Sequence, residues 1–186
     1  MERELNRTTA TARSPGAAPA VPYPDGHYLS AAVGWMQLGE LSEAKQEVGR
    51  ISPEWRGHPD VMQVRWLIHA ELREWEDCVT IAEETIAVAP DHASGWINHA
   101  NALFFLRRTR EAYAELGPIA ERFPTNEAIA YNLACYACQL GLLPESQNWL
   151  GRALAIAAKV GERGRIKKMA LEDPDLKPLW REIRRL

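Results

Sequence analysis

Phenylalanine and cysteine are scarce in this chain, with three of each among 186 residues. Three cysteines cannot pair completely, so no disulfide framework is expected and a reducing compartment is the simpler reading. An excess of either charge is also lacking. The net charge of −3 and a pI near 6.0 speak against a dedicated binder of nucleic acid or anionic membrane. No apolar run approaches the ~20 residues that a bilayer span needs. The opening segment MERELNRTTATARSPG carries acidic residues and no hydrophobic stretch, which excludes a secretory signal. No glycine-rich phosphate loop is present. Against these absences stand 46% hydrophobic residues, enough to bury a core, and seven tryptophans.

Residues 1–24 differ from the rest. Pro15, Pro19, Pro22 and Pro24 fall here among alanine, threonine and glycine, with Met1, Leu5 and Val21 as the larger aliphatic residues. Such a segment buries too little to offset its ordering entropy and reads as a flexible leader. From residue 25 the hydrophobic pattern turns helical, without a useful strand-like alternation. The segments LGELSEA, LREWEDC, LRRTREA and LGLLPES place Leu38, Leu72, Leu106 and Leu140 at a spacing of 34 residues. Six positions on, the residue is always small: Ala44, Cys78, Ala112 and Ser146. A leucine, a turn and a small residue at this period describe two antiparallel helices in close contact. The small residue allows close approach, and the leucine is expected to fill the seam.

In these features the chain resembles the tetratricopeptide repeat over residues 25–160, as units 25–58, 59–92, 93–126 and 127–160. Trp96, Ala100, Leu103, Ala112 and Pro124 in the third unit, and Leu133, Ala134, Gly141 and Ala153 in the fourth, stand at the family's signature positions. The resemblance implies an all-α, right-handed superhelical array of antiparallel helix pairs, an α-solenoid. Residues 161–186, with eight basic and five acidic residues, read as its C-terminal cap. There Leu171, Leu176, Leu179, Trp180 and Ile183 are expected to cover the fourth unit. Asp91 and Thr125, each after a proline, are expected N-caps. Departures are also visible. Arg65 and Trp66 replace a leucine and a small residue, His99 replaces a leucine, and SPEWRGHPD (52–60) lacks the usual proline position. Gly117-Pro118 falls within a helix that it should kink.

Trp35, Trp66, Trp96 and Trp149 read as packing residues between units, and Trp180 as an anchor for the cap. Cys135-Tyr136-Ala137-Cys138 is a C-x-x-C placed mid-helix, away from the helix N-terminus that would activate a thiol, and without two further zinc ligands. His27, His58, His69, His92 and His99 are dispersed, none spaced as a metal pair, and His69 and His99 read as packing residues. No catalytic set, cofactor or metal is expected.

The resemblance places the first helix of each unit on a concave groove. The inward positions are Leu29, Val33, Met36 and Gln37; Gln63, Leu67, Ala70 and Glu71; Ile97, Asn101, Phe104 and Phe105; and Tyr131, Cys135, Cys138 and Gln139. Asn98 and Asn132 recur beside them at the same spacing of 34. This surface is apolar with a few amides. Leu29, Val33, Val64, Ser94 and Asn98 stand where some members of the family clamp a carboxylate with lysine and arginine, so no such clamp is expected. The implied function is a non-catalytic, cytoplasmic protein-interaction module that takes a peptide or helical segment, with no nucleic-acid or membrane partner. Two alternatives remain open. One is a small cytosolic chaperone for an exported or aggregation-prone client, and the other is a structural protein that self-associates.

Overall fold

The structure is a computed structural model that describes residues 19–185. The leader expected over 1–24 therefore lies mostly outside the described residues. Ten α-helices and two short 310 segments make up the described chain, which divides into two compact units between Arg65 and Trp66. Among the described residues no helix is long and apolar enough to cross a membrane.

The first unit contains α1 (Asp25–Leu38), α2 (Leu41–Gly49), a 310 turn (Pro53–Trp55) and the start of α3 (Pro59–Glu71). Polar contacts fix its ends. The buried Asp25 carboxylate accepts hydrogen bonds from the backbone N–H and the hydroxyl of Ser52, both at 2.7 Å, and so ties the start of α1 to the chain after α2. Buried His58 accepts from the Asp60 N–H on Nδ1, which leaves Nε2 to donate to the Pro19 carbonyl at 2.7 Å. The unusual ending 52–60 thus forms a 310 turn that holds residue 19 through a histidine.

The second unit contains the rest of α3, then α4 (Trp75–Val88), α5 (Ala93–Phe105), α6 (Thr109–Arg122), α7 (Glu127–Gln139), α8 (Leu143–Ala158), α9 (Arg163–Glu172), a 310 segment (Pro174–Leu179) and α10 (Trp180–Ile183). Its core joins Leu103, Leu116, Ile129, Leu133, Tyr136 and Leu150 to Ile166, Leu176, Leu179 and Ile183. The residues expected of the cap are therefore part of this core, apart from Leu171 and Trp180, which pack on it half-buried.

The 34-residue period has a single backbone cause. At every turn inside a helix pair, the residue after the periodic leucine is left-handed: Gly39 (φ 80°), Arg73 (60°), Arg107 (65°) and Gly141 (78°). Each turn makes the same two bonds. Gly39 N–H bonds Met36 and Glu40 N–H bonds Trp35, and the pairs Arg73 to Ala70 with Glu74 to His69, Arg107 to Phe104 with Arg108 to Leu103, and Gly141 to Cys138 with Leu142 to Ala137 repeat this pattern. This is the Schellman closure, which satisfies the last carbonyls of one helix while reversing the chain. Six residues after the leucine, Ala44, Cys78, Ala112 and Ser146 are all fully buried. In two repeats that side chain reaches back twelve positions to the partner helix: Ser146 Oγ donates to Ala134 O at 2.7 Å, and Cys78 Sγ lies 3.8 Å from Trp66 O.

Several sequence expectations are corrected. Two of the periodic leucines do not fill a seam: Leu38 is 71% exposed and Leu72 37%, each just before the reversal inside its pair, whereas Leu106 and Leu140 are half-buried. Helix α5 starts after His92 and α7 after Asn126, whose side chain accepts from Ile129 N–H, so Asp91 and Thr125 are not the caps. Asp91 instead receives Arg122. Trp35 is 37% exposed and does not fill a gap, whereas Trp66 is buried. Helix α6 continues through Pro118. Pro118 and Ala114, the residue whose carbonyl loses its N–H partner, are both exposed.

Two predictions follow from the backbone. Arg73→Gly and Arg107→Gly should each raise stability by about 1 kcal/mol by relieving left-handed strain, while Gly141→Ala should lower it by a similar ~1 kcal/mol, read from urea-denaturation midpoints. A destabilised glycine variant would mean that the arginine side chain outweighs its backbone cost. Pro118→Ala should raise the midpoint by ~1–3 kcal/mol equivalent, by restoring a helical hydrogen bond and removing a ring clash.

Candidate functional site

The inward positions of the third and fourth repeats lie on α5 and α7. On α5, Ile97 is half-buried against the core and Asn98 is buried. One turn further, Asn101 Oδ1 accepts from Asn132 Nδ2 at 3.1 Å and from the Tyr136 hydroxyl at 2.7 Å, so the amides of the two helices are joined. The Asn101 amide N–H groups and the Asn132 amide oxygen have no partner among the described residues. An unspent donor and an unspent acceptor therefore remain on two half-buried residues joined by one hydrogen bond.

Aromatic rings flank this pair. Phe104 is buried and stacks on Tyr136 with centroids 5.0 Å apart, which makes it core. Half-buried Phe105 stacks on Trp75, at the start of α4, with centroids at 4.2 Å and planes 8° apart. Composition drew attention to the tryptophans, but only the fold brings Trp75 onto Phe105. Leu67, on α3, is half-buried in this same compact unit. Leu29 and Val33 on α1 and Gln63 on α3 belong to the first unit, where Leu29 and Gln63 are half-buried and Val33 is exposed.

The positions of α7 expected to face inward are not open. The segment after α9 lies along it. Asp173 Oδ2 accepts from the Tyr131 hydroxyl at 3.0 Å and lies 3.5 Å from Cys135 Sγ, while Asp173 Oδ1 caps the 310 segment through the Asp175 N–H. Gln139 Nε2 donates to the Asp175 carbonyl at 3.0 Å. Leu176 and Leu179 are buried, and the Trp180 indole N–H is shared by the Ala170 and Asp173 carbonyls. Tyr131, Cys135 and Gln139, inward residues of the fourth repeat, thus receive the chain's own tail. The sequence marked 161–186 as a cap; its hydrophobic spacing carried no sign of the face on which it would settle.

The cysteines are free and buried. Burial pushes the Cys78 thiol up to about 12, with the charges of Asp77 and Glu74 adding to the rise. Burial also raises Cys138; its hydrogen bond with Ser146 pulls the other way, and the Asp175 and Asp173 carboxylates add to the increase. These are the opposite of the conditions that activate a thiol. His99 lies between two helices, with Nδ1 2.9 Å from Glu115 on α6 and Nε2 3.7 Å from Glu83 on α4, where it bridges charges instead of replacing a packed leucine.

Helix pairs closed by a repeated left-handed turn, with a small buried residue at each crossing, define a tetratricopeptide-like α-solenoid. Solved structures agree on the fold. A fragment of MamA from Desulfovibrio magneticus is similar with a TM-score of 0.64 at 14% identity, over 89% of this chain and 96% of that one. A thermophilic tetratricopeptide repeat protein of Thermus thermophilus, TTC0263, gives 0.62 at 17% identity, over 87% of this chain and 100% of that one. The TPR2AB domain of yeast Sti1, in complex with pHSP90, gives 0.58 at 15% identity, over 86% of this chain and 69% of that one. No protein-family model matches the sequence, and no curated protein sequence is similar enough to count as a relative.

Thiol chemistry offers a direct check of this site. Native protein near neutral pH should show no rapidly reacting thiol towards a disulfide reagent, and all three should react in denaturant. A fast native phase would place a reactive cysteine on this face after all.

Proposed function

We propose that this chain is a non-catalytic protein-interaction module that holds an extended segment of a protein partner against α5 and α7. The observation that carries the reading is the Asn101–Asn132 amide pair. Its unspent N–H and C=O groups match the C=O and N–H of one peptide unit, and half-buried Phe105 and Ile97 on the same helix offer apolar area for the partner's side chains. Support comes from the tail, since the neighbouring face of α7 already accepts a segment of chain through a side-chain amide on a carbonyl, a hydroxyl on a carboxylate and buried leucines. The positions expected to face inward in these two repeats carry no lysine or arginine to clamp a terminal carboxylate. The partner is therefore recognised by an internal apolar stretch and its backbone.

The test uses surface amides, because Phe104 and Tyr131 are buried and their removal would damage the core. Affinity capture followed by mass spectrometry should recover a partner with the wild-type chain. Asn101→Ala combined with Asn132→Ala should lose that partner by about tenfold or more, equal to ~1.4 kcal/mol, while the circular-dichroism spectrum stays helical. Undiminished capture by a folded double variant would sink this reading.

A further inference from the structure

The turn between α3 and α4 carries a group of side chains that its counterparts lack. His69 occupies the last turn of α3, and the Schellman closure bonds the Glu74 N–H to the His69 carbonyl at 2.9 Å. That bond brings the Glu74 side chain back over the imidazole, and Asp77 follows in the first turn of α4. His69 Nδ1 lies 2.7 Å from a Glu74 carboxylate oxygen and 3.4 Å from an Asp77 oxygen, and one ligand atom from each of the three residues lies within 4.8 Å of the others. Nδ1 is shielded from solvent and makes no hydrogen bond: the Glu74 oxygen is near, but not along the direction of a ring N–H. A ring nitrogen without a hydrogen bond and two carboxylate oxygens this close offer three ligand atoms to one cation.

We propose that His69 Nδ1, Glu74 and Asp77 bind a divalent transition-metal ion of the zinc type. Zinc bonds of ~2.0–2.2 Å to nitrogen and oxygen set adjacent ligand atoms roughly 3–3.5 Å apart; the Asp77 separation of 3.4 Å falls within that spacing and the Glu74 separation of 2.7 Å is slightly shorter. The imidazole nitrogen favours zinc, cobalt or nickel over calcium and magnesium, which prefer oxygen alone. The side chains of Glu74 and Asp77 are 37% and 60% exposed, so the site opens outward and water completes the coordination shell. An acidic residue at the place of Asp77 recurs in every repeat, as Glu43, Glu111 and Glu145, where it complements the helix N-terminus. The histidine does not recur: Trp35, Leu103 and Ala137 stand at its place. Bound metal would clip α3 to α4 across the strained turn at Arg73 and stabilise the second repeat by mass action. The proposal stands independently of the peptide-binding reading.

Calorimetric titration of the reduced, EDTA-treated full chain with Zn2+ tests it. Wild type should bind one ion per chain at this site, with selective perturbation of the His69 ring resonances, while Ca2+ should leave them unchanged. His69→Ala and Asp77→Asn should each weaken binding at least about tenfold. His99→Ala, which removes the other histidine flanked by two carboxylates, should retain wild-type affinity. Should His69→Ala fold poorly, the exposed Asp77→Asn variant keeps the question decidable. Absence of stoichiometric Zn2+ binding by wild type, or wild-type affinity in folded Asp77→Asn together with unperturbed His69 resonances, overturns the proposal.

Discussion

Each helix pair depends on a reversal made in two residues, and that reversal requires a positive φ at one of them. A left-handed residue after the last helical turn lets the next two N–H groups bond back to carbonyls that would otherwise be orphaned. The second helix then starts at once, antiparallel and close. Its sixth residue after the periodic leucine arrives where the partner backbone passes, and only alanine, cysteine or serine occurs there. The larger core residues can interdigitate because this crossing is tight. Where the position is polar, as in Ser146, the hydroxyl is satisfied by the carbonyl across the crossing and costs little.

The same geometry determines which chemistry reaches the surface. Asn101 and Asn132 meet because corresponding faces of the first helices of successive repeats approach each other, and the pairing spends half of each amide. The Schellman turn also carries the residue after the left-handed position back over the helix it closes. In the second repeat that residue is Glu74 and the residue below it is His69, so a backbone device found in every repeat becomes a cluster of ligand atoms in one.

Much of this fold was legible because its period comes from local constraints that leave fixed marks. Gly39 and Gly141 advertise positive φ, and the small residues advertise close approach. Arg73 and Arg107 hide the same conformation, since the bonds of the turn impose it on residues that do not favour it. The exposure of Leu38 was not legible. Periodicity reports which positions are apolar, not whether the chain has already turned away from its partner helix there. The N-caps shifted because a loop residue ahead of the helix, whether Asp91 or Thr125, can be engaged elsewhere or left in the turn. For the candidate site, residue types and faces were readable, but bonds between them were not. Nothing in the spacing of Tyr131 and Gln139 announces Asp173 and Asp175, some forty residues away.

A stack of helix pairs has no intrinsic length, because each pair presents to the next the surface on which it was itself laid down. The tail of this chain removes that surface from circulation at one end. Asp173 and Asp175 are bonded to Tyr131 and Gln139 of α7, and Leu176, Leu179 and Ile183 are sealed into the core, so the chain itself covers that surface of the fourth repeat. The second unit therefore has a direction as well as a boundary.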